Sequence, residues 1–139
     1  MKEPIFITLA NASLAHKTRC REEFQKLNLS EGQPKVLNQL LAREGIVQRE
    51  LARRCGVKPA TMTSLLHKMG SDGLIEKKPV SVSGGKRAYG IYLTDRGRSY
   101  AIQVKQILDD YDGLALKGFS EEEKEQLTLL LRRIITNLS

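Results

Sequence analysis

QRELARRCGVKPATMTSLLHKM, residues 48–69, carries two short helical patterns joined by a turn, and the rest of the chain reads as its support. Leu51, Ala52 and Cys55 fall on one face of the first pattern, and Met62, Leu65, Leu66 and Met69 form the apolar face of the second. Gly56-Val57-Lys58-Pro59 lies between them. Gly56 can take the left-handed conformation that ends a helix without Cβ strain, and Pro59, lacking an N–H, suits the first position of the next. Ala52 supplies the small side chain needed where two helices cross steeply, and Val57 plugs the corner. The stretch predicts a helix-turn-helix.

The outer face of the second helix then presents Lys58, Ala60, Thr61, Thr63, Ser64, His67 and Lys68. Short polar side chains of this kind fit a helix entering a DNA major groove. Thr61, Thr63, Ser64 and His67 can approach base edges, a threonine methyl can meet a thymine methyl, and Lys58 and Lys68 can neutralise phosphates. An ordinary solvated face would look similar in composition. The spacing of Leu51, Ala52, Gly56, Val57, Met62 and Leu65 is what favours DNA.

With 139 residues the chain suits one domain, or a small domain with helical extensions that cannot bury themselves alone. No apolar run approaches the roughly 20 residues of a membrane helix, nothing at the N-terminus resembles a signal peptide, and a cytoplasmic location is expected. The net charge of +7 is unevenly spread: residues 1–42 carry +2, residues 43–98 carry +7 and residues 99–139 carry −2. The whole excess sits in the segment that holds the helix-turn-helix, as a nucleic-acid footprint would. Cys20 and Cys55 form neither a disulfide framework nor a metal motif, so no cofactor or metal is expected. Cys55 has an inward position. Cys20 lies among Lys17, Arg19 and Arg21, which would favour a thiolate if the sulfur were accessible, but it shares the apolar phase of its helix and is read as a buried structural thiol, with redox sensing as the alternative.

Upstream, Ile5, Leu9, Ala12, Cys20, Phe24 and Leu27 recur at helical steps, with His16 in the same phase, predicting a long helix from about Pro4 to Leu27. Its stripe is longer than a small module can cover. His16 is read as a hydrogen-bonded residue of that stripe, with ligand binding or pH sensing as the alternative. Ser30 and Gln33 have capping-box spacing, Ser30 being the expected N-cap of a helix with Val36, Leu37, Leu40 and Leu41 that Gly45 ends. Downstream of Gly73, Leu74 to Val82 and Arg87 to Leu93 are extended segments around Ser83-Gly84-Gly85, a hairpin whose tip carries Lys86 and Arg87. Pro79 restricts its strand to an edge. A basic hairpin directly after a recognition helix is a wing, and an arginine on it can enter a narrow minor groove. Thr94 caps the next helix, which runs to about Leu116; Ser120 and Glu123 form a capping box opening a last helix with Leu127, Leu130, Leu131, Ile134, Ile135 and Leu138.

In this order the elements resemble the MarR family of bacterial transcription regulators over nearly the full chain. The likeness rests on Leu29-Ser30 with Gln33 and Val36-Leu37, on Glu50-Leu51-Ala52, on the run from Met69 to Lys77, and on Leu93-Thr94-Asp95-Arg96-Gly97 after the wing. At the wing the family's Asp-x-Arg pattern falls on Gly85 and Arg87, so the arginine is present and its acidic support is not. Lys58 also replaces the better N-cap usual before the recognition helix. The resemblance implies a homodimer joined through its terminal helices, and a small aromatic or phenolic ligand bound between the dimerisation and DNA-binding regions, for which the sequence shows no motif.

The expected architecture is therefore mainly α with a small β-hairpin wing: a single domain in which residues 30–98 form a winged helix-turn-helix and residues 1–29 and 99–139 form dimerisation helices. The expected function is a homodimeric, ligand-responsive transcriptional repressor on a pseudo-palindromic operator, with Lys58, Thr61, Thr63, Ser64, His67, Lys68, Lys86 and Arg87 on the DNA. Two other readings are a winged-helix protein–protein interaction module without DNA binding, and a cysteine-based redox-sensing regulator. No Gly-rich phosphate loop, metal cluster or nucleophile–base constellation points to an enzyme.

Overall fold

A computed structural model describes residues 2–139. Six helices and a three-stranded antiparallel sheet follow one another as α1 (Ile5–Lys26), α2 (Gln33–Ala42), β1 (Ile46–Val47), α3 (Gln48–Cys55), α4 (Pro59–Ser71), β2 (Ile75–Ser81), β3 (Arg87–Leu93), α5 (Asp95–Ala115) and α6 (Glu121–Leu138). A single 3-10 turn, Ser83–Gly85, joins β2 to β3. The sheet order is β1-β3-β2, which leaves β2, with Pro79, at an edge where a missing N–H costs no ladder bond.

The core lies where α2, α3, α4, the base of the sheet and the first half of α5 meet. Val36, Leu37, Leu40, Leu51, Met62, Met69, Ile91, Ala101 and Val104 are completely buried there. Ala52 and Cys55 are buried at the α3 face expected for them, and Val57 packs against the cluster. Gly56 ends α3 at φ 66°, ψ 33°, the left-handed conformation the turn requires. Lys35 reaches across from α2 to donate to the Cys55 carbonyl at 3.2 Å, satisfying the exposed end of α3.

The start of α2 differs from the expected capping box. Gly32, at φ 91°, is the N-cap, and the Ser30 hydroxyl caps nothing. Only the reciprocal half of the box forms, with the Ser30 N–H donating to Gln33 Oε1 at 3.1 Å. A turn closed by the Gln33 N–H on the Ser30 carbonyl occupies the position the first helical turn would have taken. The C-terminus also shifts: α2 stops at Ala42 with Arg43 extended, and Gly45 instead turns the chain into β1, its N–H on the Ile91 carbonyl at 2.8 Å.

The caps of the last two helices form as expected. Thr94 Oγ1 accepts the Gly97 N–H at 3.0 Å, and Ser120 and Glu123 exchange both bonds of a capping box. Arg96 Nη1 donates to the Asp72 carbonyl at 3.0 Å and Thr94 donates to the Gly73 carbonyl at 2.6 Å, so the start of α5 clamps the end of α4. By contrast α1 buries only Cys20 and α6 buries nothing. Ile5, Phe6, Leu14, Leu130, Ile135 and Leu138 stand exposed on these two helices.

Cys20 is a buried thiol, as its place on the apolar phase of α1 indicated, and not the accessible thiolate its basic neighbours would favour. It is 2% exposed, and burial, reinforced by the Asp112 charge, pushes its thiol up. Lys17, Arg19 and Arg21 are exposed on the helix surface. His16 is half-buried and bridges α1 to α5, with Nε2 2.9 Å from Asp112 Oδ1, so it is hydrogen-bonded as expected.

Candidate nucleic-acid interface

The recognition helix α4 turns Met62, Leu66 and Met69 into the core, with Leu65 half-buried beside Gly32. Its 3.6-residue period therefore sends Ala60, Thr61, Thr63, Ser64, His67 and Lys68 outward, and all are exposed, as is Lys58 before the helix. Lys58 makes no side-chain cap, and Pro59 holds the first position of the helix. The first N–H groups of α4 thus face solvent together with a lysine, an arrangement that suits an anion.

Two expected contact residues are partly engaged within the protein. The Thr63 hydroxyl donates to the Pro59 carbonyl at 3.1 Å and accepts from Gln48 Nε2 at 2.8 Å, so its proton is committed and its methyl carries the outward surface. Lys68 lies 3.5 Å from Asp72 one turn on, but both are exposed, and such a pair is weak enough to yield to a phosphate. Gln48 escaped the reading of the sequence. Its role depends on how α3 crosses α4, which no local pattern encodes.

On the helix before the turn, Glu50 is flanked by Arg53 and Arg54, whose hydrogen bonds and charges hold its carboxyl at about 2. Those two arginines are thereby partly neutralised. Lys58, Lys86 and Arg87 have no acidic partner within ion-pair distance among the described residues, and each is exposed. Unpaired positive charge thus stands both at the start of α4 and at the wing tip.

Gly97 fixes how the wing base meets α5. A Cβ added there would lie 1.9 Å from the Leu74 carbonyl oxygen. Only glycine lets α5 approach the strand entering the wing this closely. At the far side of the base, Glu44 accepts the Leu93 N–H at 2.9 Å and pairs with Arg98 at 2.5 Å. Burial alone would raise the Glu44 carboxyl, but the Arg98 and Leu93 hydrogen bonds, with the charges of Arg98 and Lys78, together lower it.

A winged helix-turn-helix with an exposed polar recognition helix and a basic wing defines the class of DNA-binding transcription regulators. Comparison with known proteins narrows the class. The family model described as "MarR family" matches residues 27–87. The HTH-type transcriptional regulator YybA of Bacillus subtilis is 29% identical over 116 residues, spanning 84% of this chain and 76% of that protein. The HTH-type transcriptional repressor YetL of Bacillus subtilis is 27% identical, spanning 97% of this chain and 81% of that one. A MarR-family transcriptional regulator from Listeria monocytogenes, solved in complex with a 26mer DNA, superposes with a TM-score of 0.86 at 25% identity, covering 99% of this chain and 90% of that chain. Over residues 27–87 the chain matches the MarR family, and the relatives to which it is similar are transcription regulators. Among the described residues no helix is long and apolar enough to cross a membrane.

Proposed function

We propose that this chain acts as a homodimeric repressor that binds a pseudo-palindromic operator. The observation that carries this reading is the exposed, unpaired set of Lys58, Lys86 and Arg87 around a polar α4 face, in the one segment holding the +7 excess. Thr61, Ser64, His67 and the Thr63 methyl then meet base edges in the major groove, Lys58 and Lys68 meet phosphates, and Arg87 with Lys86 enters the flanking minor groove. Residues 30–98 form the DNA-binding part. Residues 1–29 and 99–139 pair with those of a second copy, covering apolar side chains such as Ile5, 71% exposed, and Ile135, 64% exposed. Two recognition helices would then lie about one DNA turn apart, reading half-sites roughly 10 bp between centres.

The test is a mobility shift with random duplex at low salt, followed by selection of bound sequences from a random pool. Binding with a salt slope that flattens in Arg87→Ala supports the reading; no binding at low salt favours a protein–protein module instead.

A small effector also has a supported place. A cleft of roughly 260 Å3 lies between the end of α1, the start of α2, α4 and α5, lined by Gln33, Lys68, Asp72, Arg96 and Tyr100 among others. Gln33 is 1% exposed, and its Nε2 has no hydrogen-bond partner in the protein. A buried amide donor beside Lys68 and Arg96 suits the carboxylate or hydroxyl of an aromatic or phenolic acid. Such a ligand would draw Lys68 from Asp72 at the end of α4 and so couple the cleft to the recognition helix. Candidate acids added to the mobility shift should release DNA from the parent and fail to do so with Gln33→Leu.

A further inference from the structure

Residues directly opposed on antiparallel strands share one face of the sheet. The β2–β3 register opposes Ile75 with Leu93, Lys77 with Ile91, Pro79 with Tyr89 and Ser81 with Arg87. Ile75, Ile91 and Leu93 are buried in the core, so this row is the face turned to the helices. Beyond the core the same face continues as Lys77, Tyr89 and Arg87, all exposed, Tyr89 by 63%.

The other face alternates Glu76, Lys78, Val80 with Ala88, Gly90, Tyr92, and its charge is matched. Lys78 pairs with Glu76 at 3.3 Å, lies 5.0 Å over the Tyr92 ring, and shares a cleft with Glu44. Along the paired strands the wing is therefore polarised across its thickness: Lys77 and Arg87 with no carboxylate on the side facing the helices, and Lys78, neutralised by Glu76, on the other. Neighbouring lysines 77 and 78, indistinguishable by composition, are sorted by the pleat alone. A large phenol left exposed between two unpaired cations has an apolar body and a polar tip, which suits the sugar-phosphate chain of a nucleic acid.

We propose that Lys77 and Tyr89 join Arg87 in a DNA-contacting row on the helix-facing side of the wing. Lys77 neutralises a backbone phosphate, and Tyr89 packs its ring on the sugar-phosphate chain while its hydroxyl donates to a phosphate oxygen. This rests on the DNA-binding reading above, which engages the wing only through Lys86 and Arg87.

Binding of the full chain to a labelled random-sequence duplex, titrated over about 50–200 mM salt, tests it. Lys77→Ala should reduce the slope of log affinity against log salt by about 0.9 per subunit, while Lys78→Ala should leave it unchanged. Tyr89→Ala should weaken binding about tenfold at fixed salt, and Tyr89→Phe, which keeps the ring, by a smaller but measurable factor. Equal slopes for Lys77→Ala and Lys78→Ala, or parental affinity in either Tyr89 variant, would overturn the row while leaving the DNA-binding reading standing. A parent chain that ignores the duplex at low salt would remove both.

Discussion

Gln48 and Thr63 are joined across the helix-turn-helix by a 2.8 Å hydrogen bond from the amide Nε2 to the hydroxyl, which itself donates to the Pro59 carbonyl. The recognition helix is thereby tied to the first residue of α3 through an outward-facing threonine. Removing Thr63 from a list of flexible hydroxyl donors changes what it can read. A fixed rotamer with an outward methyl discriminates by apolar contact, most simply with a thymine methyl. Thr63→Ser should keep both hydrogen bonds and lose that discrimination at one operator position by about 0.8 kcal/mol, the worth of one methyl. Gln48→Ala should blur the same position, since the hydroxyl is then free to rotate. Duplex selection with each variant reads both effects, and an unaltered preference in Thr63→Ser would show that the methyl is not a reading group.

Gly97 meets Leu74 at a distance no side chain permits, and the contact joins the wing base to α5. Ala at this position has to push the helix away from a backbone carbonyl, which cannot yield as a flexible side chain would. Gly97→Ala should therefore destabilise the fold by about 2–3 kcal/mol despite alanine's better helix propensity. Urea unfolding measures this, and a midpoint at or above that of the parent would show that the two backbones can separate cheaply.

The exposed apolar faces of α1 and α6 predict a dimer whose loss spares the core. Leu130 and Ile135 are 44% and 64% exposed, so Leu130→Lys with Ile135→Lys removes no intramolecular packing of consequence. The double variant should sediment as a monomer with near-parental helix content, and bind a two-half-site duplex at least about a hundredfold more weakly. A double variant that remains dimeric would place the interface elsewhere.

Glu44 sets an acid dependence at the wing base. Its carboxyl is lowered in the folded chain, so it adds stability above the unfolded value and surrenders it as pH falls through the folded one. The parent should lose stability from about pH 4.5 downward in part through this group, and Glu44→Gln should show a shallower acid limb. Thermal melting of both chains between about pH 3 and 7 checks the sign. Identical acid limbs would mean that the Arg98 and Leu93 contacts add nothing.

Periodicity and turn chemistry are properties of residues three or four apart, so the elements could be located from the chain alone. Helical repeats around Leu51, Met62 and Leu127, the Gly56–Pro59 turn, the Ser83–Gly85 tip and the Thr94 and Ser120 caps all lie where the structure has them. Even the concentration of charge in residues 43–98 is visible without coordinates. Where local signals compete, the sequence was less decisive. Ser30 had the right spacing for an N-cap, and the turn at Glu31-Gly32 took its place. What only the folded chain decided are the contacts between elements far apart in sequence: Gln48 to Thr63 across 15 positions, Glu44 to Arg98 across 54, His16 to Asp112 across 96. Those depend on crossing angles and strand register, which arise from packing the whole core at once. The same packing chose the buried thiol over the thiolate at Cys20, and separated Lys77 from Lys78 onto opposite faces of one strand.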